Sequence, residues 1–188
     1  MRVFGIDPGS VRTGYGCVDT DGTRHRLVTC GALAAPPATS LPERLRLIHD
    51  RLLELLQSSR PDCVAVESLF SARNARSALT LGHARGVALL AAVETGVALI
   101  EYSPAEVKQA LVGHGRADKP QVQQMVRLLL GLDAPPRPYD ASDALAIAIC
   151  HAHAASGPVE RPAGRRVPRA ERSWRHVNPA TLGRRQAP

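Results

Sequence analysis

Aromatic side chains are scarce in this sequence, at 3% of 188 residues with only two phenylalanines, so an aromatic placed in a polar loop needs a reason. Paired cysteines are missing too. Cys17, Cys30, Cys63 and Cys150 stand singly in apolar segments, never at the two-residue spacing of a zinc ribbon. Buried, reduced thiols are therefore expected. No stretch supplies the roughly 18 uninterrupted apolar residues of a membrane span. The opening Met1-Arg2-Val3-Phe4-Gly5-Ile6-Asp7 meets charge too early for a secretory leader. These absences predict a cytoplasmic protein without membrane association, and there is no internal repeat.

What is present points first to one well-buried core, since 44% of the residues are hydrophobic and the chain is short for two domains. The net charge of +7 is unevenly spread. Residues 1–150 carry sixteen Lys or Arg against fifteen Asp or Glu, whereas residues 151–188 carry eight Arg against two Glu. The expected division is a folded domain over 1–155 and an Arg/Pro-rich, disordered tail over 156–188. Such a tail either adds nonspecific attraction to phosphates or simply solubilises the chain.

Strand signals come early. Val3 to Ile6 is an apolar run ending at Asp7, and Gly14 to Asp19 resumes after the Pro8-Gly9-Ser10 turn. Asp21-Gly22 reads as a two-residue hairpin turn leading into a third strand to Ala34. Ser40-Leu41-Pro42-Glu43 fits a capping box, with Leu45, Ile48, Leu52, Leu55 and Leu56 at helical spacing behind it. Cys63 to Val66 has the continuous apolar character of a strand buried on both faces, and it ends at Glu67. A long Ala- and Leu-rich helix over 77–95, a strand over 97–102, a helix capped by Ser103 with Pro104 at its first position, and a helix to about Leu130 follow. A nearly all-apolar helix over 141–155 closes the domain. Antiparallel strands, then alternating helix and strand, predict an α/β fold with a mixed five-stranded sheet flanked by helices.

Asp7 and Glu67 each end an apolar strand, and on neighbouring strands they would share one crevice. Asp140 and Asp143 lie three apart at the start of the last helix, on a face that continues through Ala146, Ile147 and Cys150. A charge facing a core is costly unless paired or bound to metal, and no cation lies near Asp143 in sequence to pair with it. Asp140 as an N-cap, Asp143 as a dipole-matching acid and Asp7 as the start of a turn form the plainer reading. Glu67, with no capping task, tilts the balance towards a dication that neutralises the crowded acids. Hard oxygen ligands without His or Cys favour Mg²⁺, with Mn²⁺ as a substitute. His25, His49, His83, His114, His151 and His153 form no ligand pattern.

Four segments then carry a resemblance: Phe4 to Ser10 with Thr13-Gly14-Tyr15-Gly16, Val66-Glu67-Ser68-Leu69-Phe70, Ala84-Arg85-Gly86-Val87, and Tyr139-Asp140-Ala141-Ser142-Asp143-Ala144-Leu145-Ala146. In order and spacing, over about residues 1–155, they resemble the bacterial Holliday junction resolvases of the RuvC family. The resemblance implies a ribonuclease H-like fold, a homodimer, and two symmetric cuts in a four-way DNA junction, leaving 5′-phosphate and 3′-hydroxyl ends. It implies that Asp7, Glu67, Asp140 and Asp143 are the catalytic acids, holding two metal ions, and that branch-migration motor proteins are partners. Two oxygen-liganded ions suit an in-line displacement by water without a covalent nucleophile.

The same resemblance gives Phe70 the role of a wedge between base steps, the alternative being a core-capping side chain. Arg73, Arg76, Arg85, Lys108, Arg116, Lys119 and Arg127 outnumber the acids Glu94, Glu101, Glu106 and Asp118 across residues 73–127. Of these, Arg73, Arg76, Lys108, Arg116 and Lys119 are the chief candidate phosphate contacts, and Lys108 and Lys119 match positions that the family keeps basic. A solvated helix face is the alternative for the rest. Ala78, Gly82 and Gly86 recur every four residues, either as a dimer seam or to let their helix lie flat on the sheet. A two-lobed phosphotransferase is excluded by length. A junction binder without catalysis remains the rival function.

Overall fold

The computed structural model describes residues 1–9, 11–68 and 75–156. Five strands, β1 (Arg2–Asp7), β2 (Arg12–Thr20), β3 (His25–Ala34), β4 (Cys63–Glu67) and β5 (Ala98–Tyr102), form one sheet in the order β3-β2-β1-β4-β5. β1 runs antiparallel to β2 and parallel to β4, and β4 runs parallel to β5. The helices are α1 (Leu41–Ser59), α2 (Ala75–Glu94), α3 (Pro104–Val112), α4 (Lys119–Leu129) and α5 (Tyr139–Ser156). This mixed five-stranded sheet covered on both faces is the arrangement that the order of the elements predicts, and the one that the family resemblance implies as ribonuclease H-like.

Strand alternation sorts the core into two layers. Phe4, Ile6, Cys17, Val64 and Val66 face α1 and α2, where they meet Ile48, Leu52, Leu56, Ala84 and Ala88. Val3, Cys63, Ala65 and Tyr102 face the other helices, among Val107, Leu111, Val126, Leu145 and Ile149. Each fully buried Val, Leu, Ile or Phe contributes on the order of 1.5–3 kcal/mol, so β1, β4 and α5, with Phe4, Ile6, Val64, Val66, Leu145, Ile147 and Ile149, are firmly anchored. Cys17, Cys63 and Cys150 are buried and Cys30 partly so, all as free thiols, and burial pushes the first three up to about 11, 12 and 12.

Glycine decides where α5 lies. Gly5 and Gly16 are cross-strand partners on β1 and β2, and Gly14 pairs with Asp7. A Cβ on Gly5 would stand 2.0 Å from the Ala144 carbonyl oxygen, one on Gly14 2.0 Å from that of Asp140, and one on Gly16 2.6 Å from Leu145 Cγ. The three form a trough into which the backbone of α5 sinks, which is what glycine inside a strand permits.

Several local expectations change. The β2–β3 connection is four residues, Asp21 to Arg24, rather than two. The Asp21 carboxylate accepts from Thr23 N at 2.9 Å, Thr23 Oγ1 at 3.0 Å and Arg24 N at 2.8 Å, and this side-chain turn replaces the tight hairpin. Helix α5 begins at Tyr139, two residues before the expected Ala141, so Asp140 sits inside the first turn and is not its N-cap. The Pro138 carbonyl already accepts from Ala141 N at 3.0 Å. On α2 the buried residues are Ala84, Ala88, Ala91 and Ala92. Gly82 and Gly86 have nothing within 4 Å of a built Cβ, so they do not serve to lay the helix on the sheet. No described helix is long and apolar enough to cross a membrane. The tail expectation for 156–188 lies, beyond Ser156, outside the described residues.

Candidate active site

The site begins with two adjacent strand ends. Ile6 of β1 pairs with Val66 of β4, which brings the next residue of each, Asp7 and Glu67, to the same sheet edge. Both continue the alternation of Val3 and Gly5, and of Cys63 and Ala65, and so point to the face covered by α5. On that face Asp140 lies directly over Gly14, the cross-strand partner of Asp7, with its Cβ 3.2 Å from where a Gly14 Cβ would be. Asp143 follows one turn later and is 21% exposed. Three distant chain segments therefore deliver four carboxylates to one edge.

Their charges act on one another. Burial, then the negative charges of Glu67 and Asp143, push the Asp7 carboxyl up to about 7, with a smaller push from Asp140. Glu67 is raised as well, first by burial and then by Asp143. Lys119 opposes both shifts, and Lys108 on α3 opposes that of Glu67. Lys119, the first residue of α4, donates from Nζ to Asp143 Oδ2 at 2.9 Å. That bond raises the lysine's own pKa. Asp143 thus has a cation partner 24 residues away, which reading along the sequence did not find. With Lys119 74% exposed, the pair contributes under about 1 kcal/mol of stability, so it is better understood as partial charge relief for the acids.

Among the described residues, no three His, Cys, Asp or Glu side chains stand gathered as a finished metal cage. Asp7 nonetheless lies within a side-chain hydrogen bond of Glu67, and both feel the charge of Asp143 in addition to their burial. The donor set is oxygen only, partly dehydrated and short of positive charge. It fits a hard dication such as Mg²⁺ or Mn²⁺.

The other expected site residues divide. Lys108 and Lys119 act on the acids, while Arg76 in the first turn of α2 and Arg116 in the α3–α4 loop are exposed. Phe70 and Arg73 lie outside the described residues. Arg85 is not a free phosphate contact: its guanidinium donates to Glu101 Oε2 at 2.6 Å and to the Glu67 carbonyl at 3.5 Å. It props the end of β4 and so positions Glu67, a role that its spacing in sequence did not suggest. Arg127 donates to Gln124 at 2.9 Å and to the Leu132 carbonyl at 3.5 Å beyond the end of α4. A cleft of about 460 Å³ lined by Arg2, Asp19, Asp21, His25 and Arg60 lies at the other end of β1.

Comparison with known proteins adds an independent line. A family model described as crossover junction endodeoxyribonuclease RuvC matches residues 3–151. A crossover junction endodeoxyribonuclease RuvC of Chloroflexus aggregans is 53% identical over 155 residues, covering 82% of this chain and 94% of the relative. The structure of Thermus thermophilus RuvC superposes with a TM-score of 0.76 at 45% identity, covering 82% of this chain and 95% of that one. T. thermophilus RuvC in complex with Holliday junction substrate gives the same TM-score at 42% identity and the same coverage.

Proposed function

From the premise that this chain belongs to the RuvC family of crossover junction endodeoxyribonucleases, we propose that it resolves four-way DNA junctions by paired, metal-dependent phosphodiester cuts. The observation that carries the metal-dependent part is the gathering of Asp7, Glu67 and Asp143 at one partly buried sheet edge, where burial first, and then the charges of Glu67 and Asp143, push Asp7 up to about 7.

Asp7, Glu67, Asp140 and Asp143 are the residues that would hold the dications, two per site. When bound, such ions supply activation of water and charge neutralisation at the departing 3′ oxygen. Asp7, pushed up to about 7, would have to give up its proton to serve as a ligand, so metal uptake would be favoured by rising pH. Lys119 and Lys108 stand beside the acids with charge to offer a phosphate, and Lys119 exchanges Asp143 for the DNA backbone. Arg85 keeps the Glu67 strand end in place. The ends expected are 5′-phosphate and 3′-hydroxyl. Phe70, Arg73, Arg76 and Arg116 complete the proposed DNA contacts, with Phe70 as the wedge at the junction centre.

Two matched cuts need two sites. Leu79, Gly82, Gly86, Leu90 and Val93 fall on one stripe of α2 turned away from the sheet, and Leu79, Leu90 and Val93 are 64%, 51% and 61% exposed. A second copy of the chain covers this stripe in a two-fold dimer, the glycines allowing close helix approach. The motor proteins of branch migration remain the proposed cellular partners, and residues 1–155 the catalytic domain.

The test is a four-way junction labelled on each strand in turn, incubated with Mg²⁺ and again without it. Nicks at matched positions on two opposed strands, absent without metal, support the reading. Binding without nicks turns it into a junction binder, and cuts in linear duplex remove the junction selectivity.

A further inference from the structure

Tyr139 opens α5, one residue before Asp140, and is 49% exposed. The other described aromatics are engaged elsewhere. Phe4 is fully buried and stacked on Tyr15, and Tyr102 is buried with its hydroxyl 2.8 Å from His151 Nδ1. Tyr139 instead has the guanidinium carbon of Arg137 4.7 Å above its ring centroid. No hydrogen bond or ion pair ties either side chain to a described residue. Arg137 is exposed and has no carboxylate partner among them, although acids crowd the neighbouring edge.

This pairing leaves specific chemistry unused. A guanidinium lying over a ring spends its face on the aromatic and keeps its in-plane N–H fork free for a phosphate. A half-exposed ring has area left for a stacked base, which every base accepts because each has a π-face. The stack is joined to the acidic edge by a single residue, Asp140, whose backbone is held down over Gly14. Tyr139 is the chain neighbour of Asp140, which puts the pair within reach of a strand bound at that edge.

We propose that Arg137 and Tyr139 together clamp the DNA strand next to the scissile phosphate, Arg137 binding a backbone phosphate and Tyr139 stacking on an unpaired base at the junction. This rests on the nuclease reading of the acidic edge. Neither residue takes part in the bond-breaking chemistry.

The test uses the full-length protein in EDTA, where turnover stops, and four-way junctions carrying 2-aminopurine at each unpaired or crossover base in turn. Tyr139→Ala is expected to weaken junction binding about tenfold, within the range typical for loss of a stacked base, and to abolish the quenching at one base position. Tyr139→Phe retains both affinity and quenching. Arg137→Ala is expected to reduce the slope of log affinity against log salt by about 0.9, one phosphate contact. Should Tyr139→Ala fold poorly, Tyr139→Leu, which keeps apolar bulk without a π-face, replaces it against Tyr139→Phe. Unchanged affinity and quenching in the Ala or Leu variant, or an unchanged salt slope in Arg137→Ala, overturns the clamp while leaving the nuclease reading intact. Failure of the unaltered protein to bind the junction overturns both.

Discussion

Replacing Asp7 by Asn is expected to stabilise the metal-free protein while removing its cleavage. An ordinary aspartate titrates at about 3.9, and burial with the charges of Glu67 and Asp143 lifts Asp7 to about 7 in the folded chain. The folded state thus keeps this proton over a range where the unfolded chain has lost it. Stability falls as pH rises from about 4 to about 7, and the full penalty applies above that. About three units at 1.36 kcal/mol each set an upper bound near 4 kcal/mol. Asp7 is only partly buried by surface area, so hydration and relaxation reduce this to about 2 kcal/mol. At roughly 2–4 °C per kcal/mol for a chain of this size, Tm should rise by about 4–8 °C. Differential scanning calorimetry in EDTA at pH 8 and pH 4.5 reads this directly. Asp7→Asn should melt higher at pH 8, the gap should close at pH 4.5, and Mg²⁺ should raise the unaltered protein's Tm more than the variant's. An Asn variant melting at or below the unaltered protein at pH 8 in EDTA would refute the claim that burial and the neighbouring acids penalise the Asp7 charge.

Gly14→Ala places a Cβ 2.0 Å from the Asp140 carbonyl, so α5 must lift. A loss of about 2–3 kcal/mol in urea unfolding is expected, with cleavage falling further than stability alone explains. The buried His25 sets a second pH dependence through its Nε2, 3.0 Å from His153 Nε2. Burial, then His153, lowers the His25 pKa, so the unfolded chain takes up that proton first and stability is lost as pH falls below about 6.5. Melting of His153→Gln between pH 7.5 and 5.5 should show a shallower loss than the unaltered protein, and parallel curves would remove the pair from the account. Leu90→Asp, on the exposed stripe of α2, should give a monomer by light scattering that no longer makes paired cuts, whereas a retained dimer would place the seam elsewhere.

Much of this molecule is legible from periodicity. β1, β4 and the helices appear where apolar spacing and the Ser40 and Ser103 capping boxes put them, because those signals are local. What was hidden depends on distant partners or on side chains overriding a turn rule. The Asp21 carboxylate reshapes the hairpin by collecting backbone N–H groups. Lys119 reaches Asp143 only because α4 packs against α5, and Arg85 reaches the Glu67 carbonyl only across the α2–β4 layer. The trough of Gly5, Gly14 and Gly16 was visible as letters, yet its purpose needed the helix that fills it. Alternating glycines on paired strands, followed by an Ala-rich helix later in the chain, form the one signal that could have revealed this close approach.

Uptake of Mn²⁺, followed by titration calorimetry with four-way junction DNA present, bears most directly on whether Asp7, Glu67, Asp140 and Asp143 act as one centre. The unaltered protein should bind the ion with release of protons, and single Asn or Gln replacements at the four positions should each weaken that uptake and stop cutting. No measurable uptake by the unaltered protein, or junction cleavage that persists in EDTA, would contradict the shared carboxylate centre.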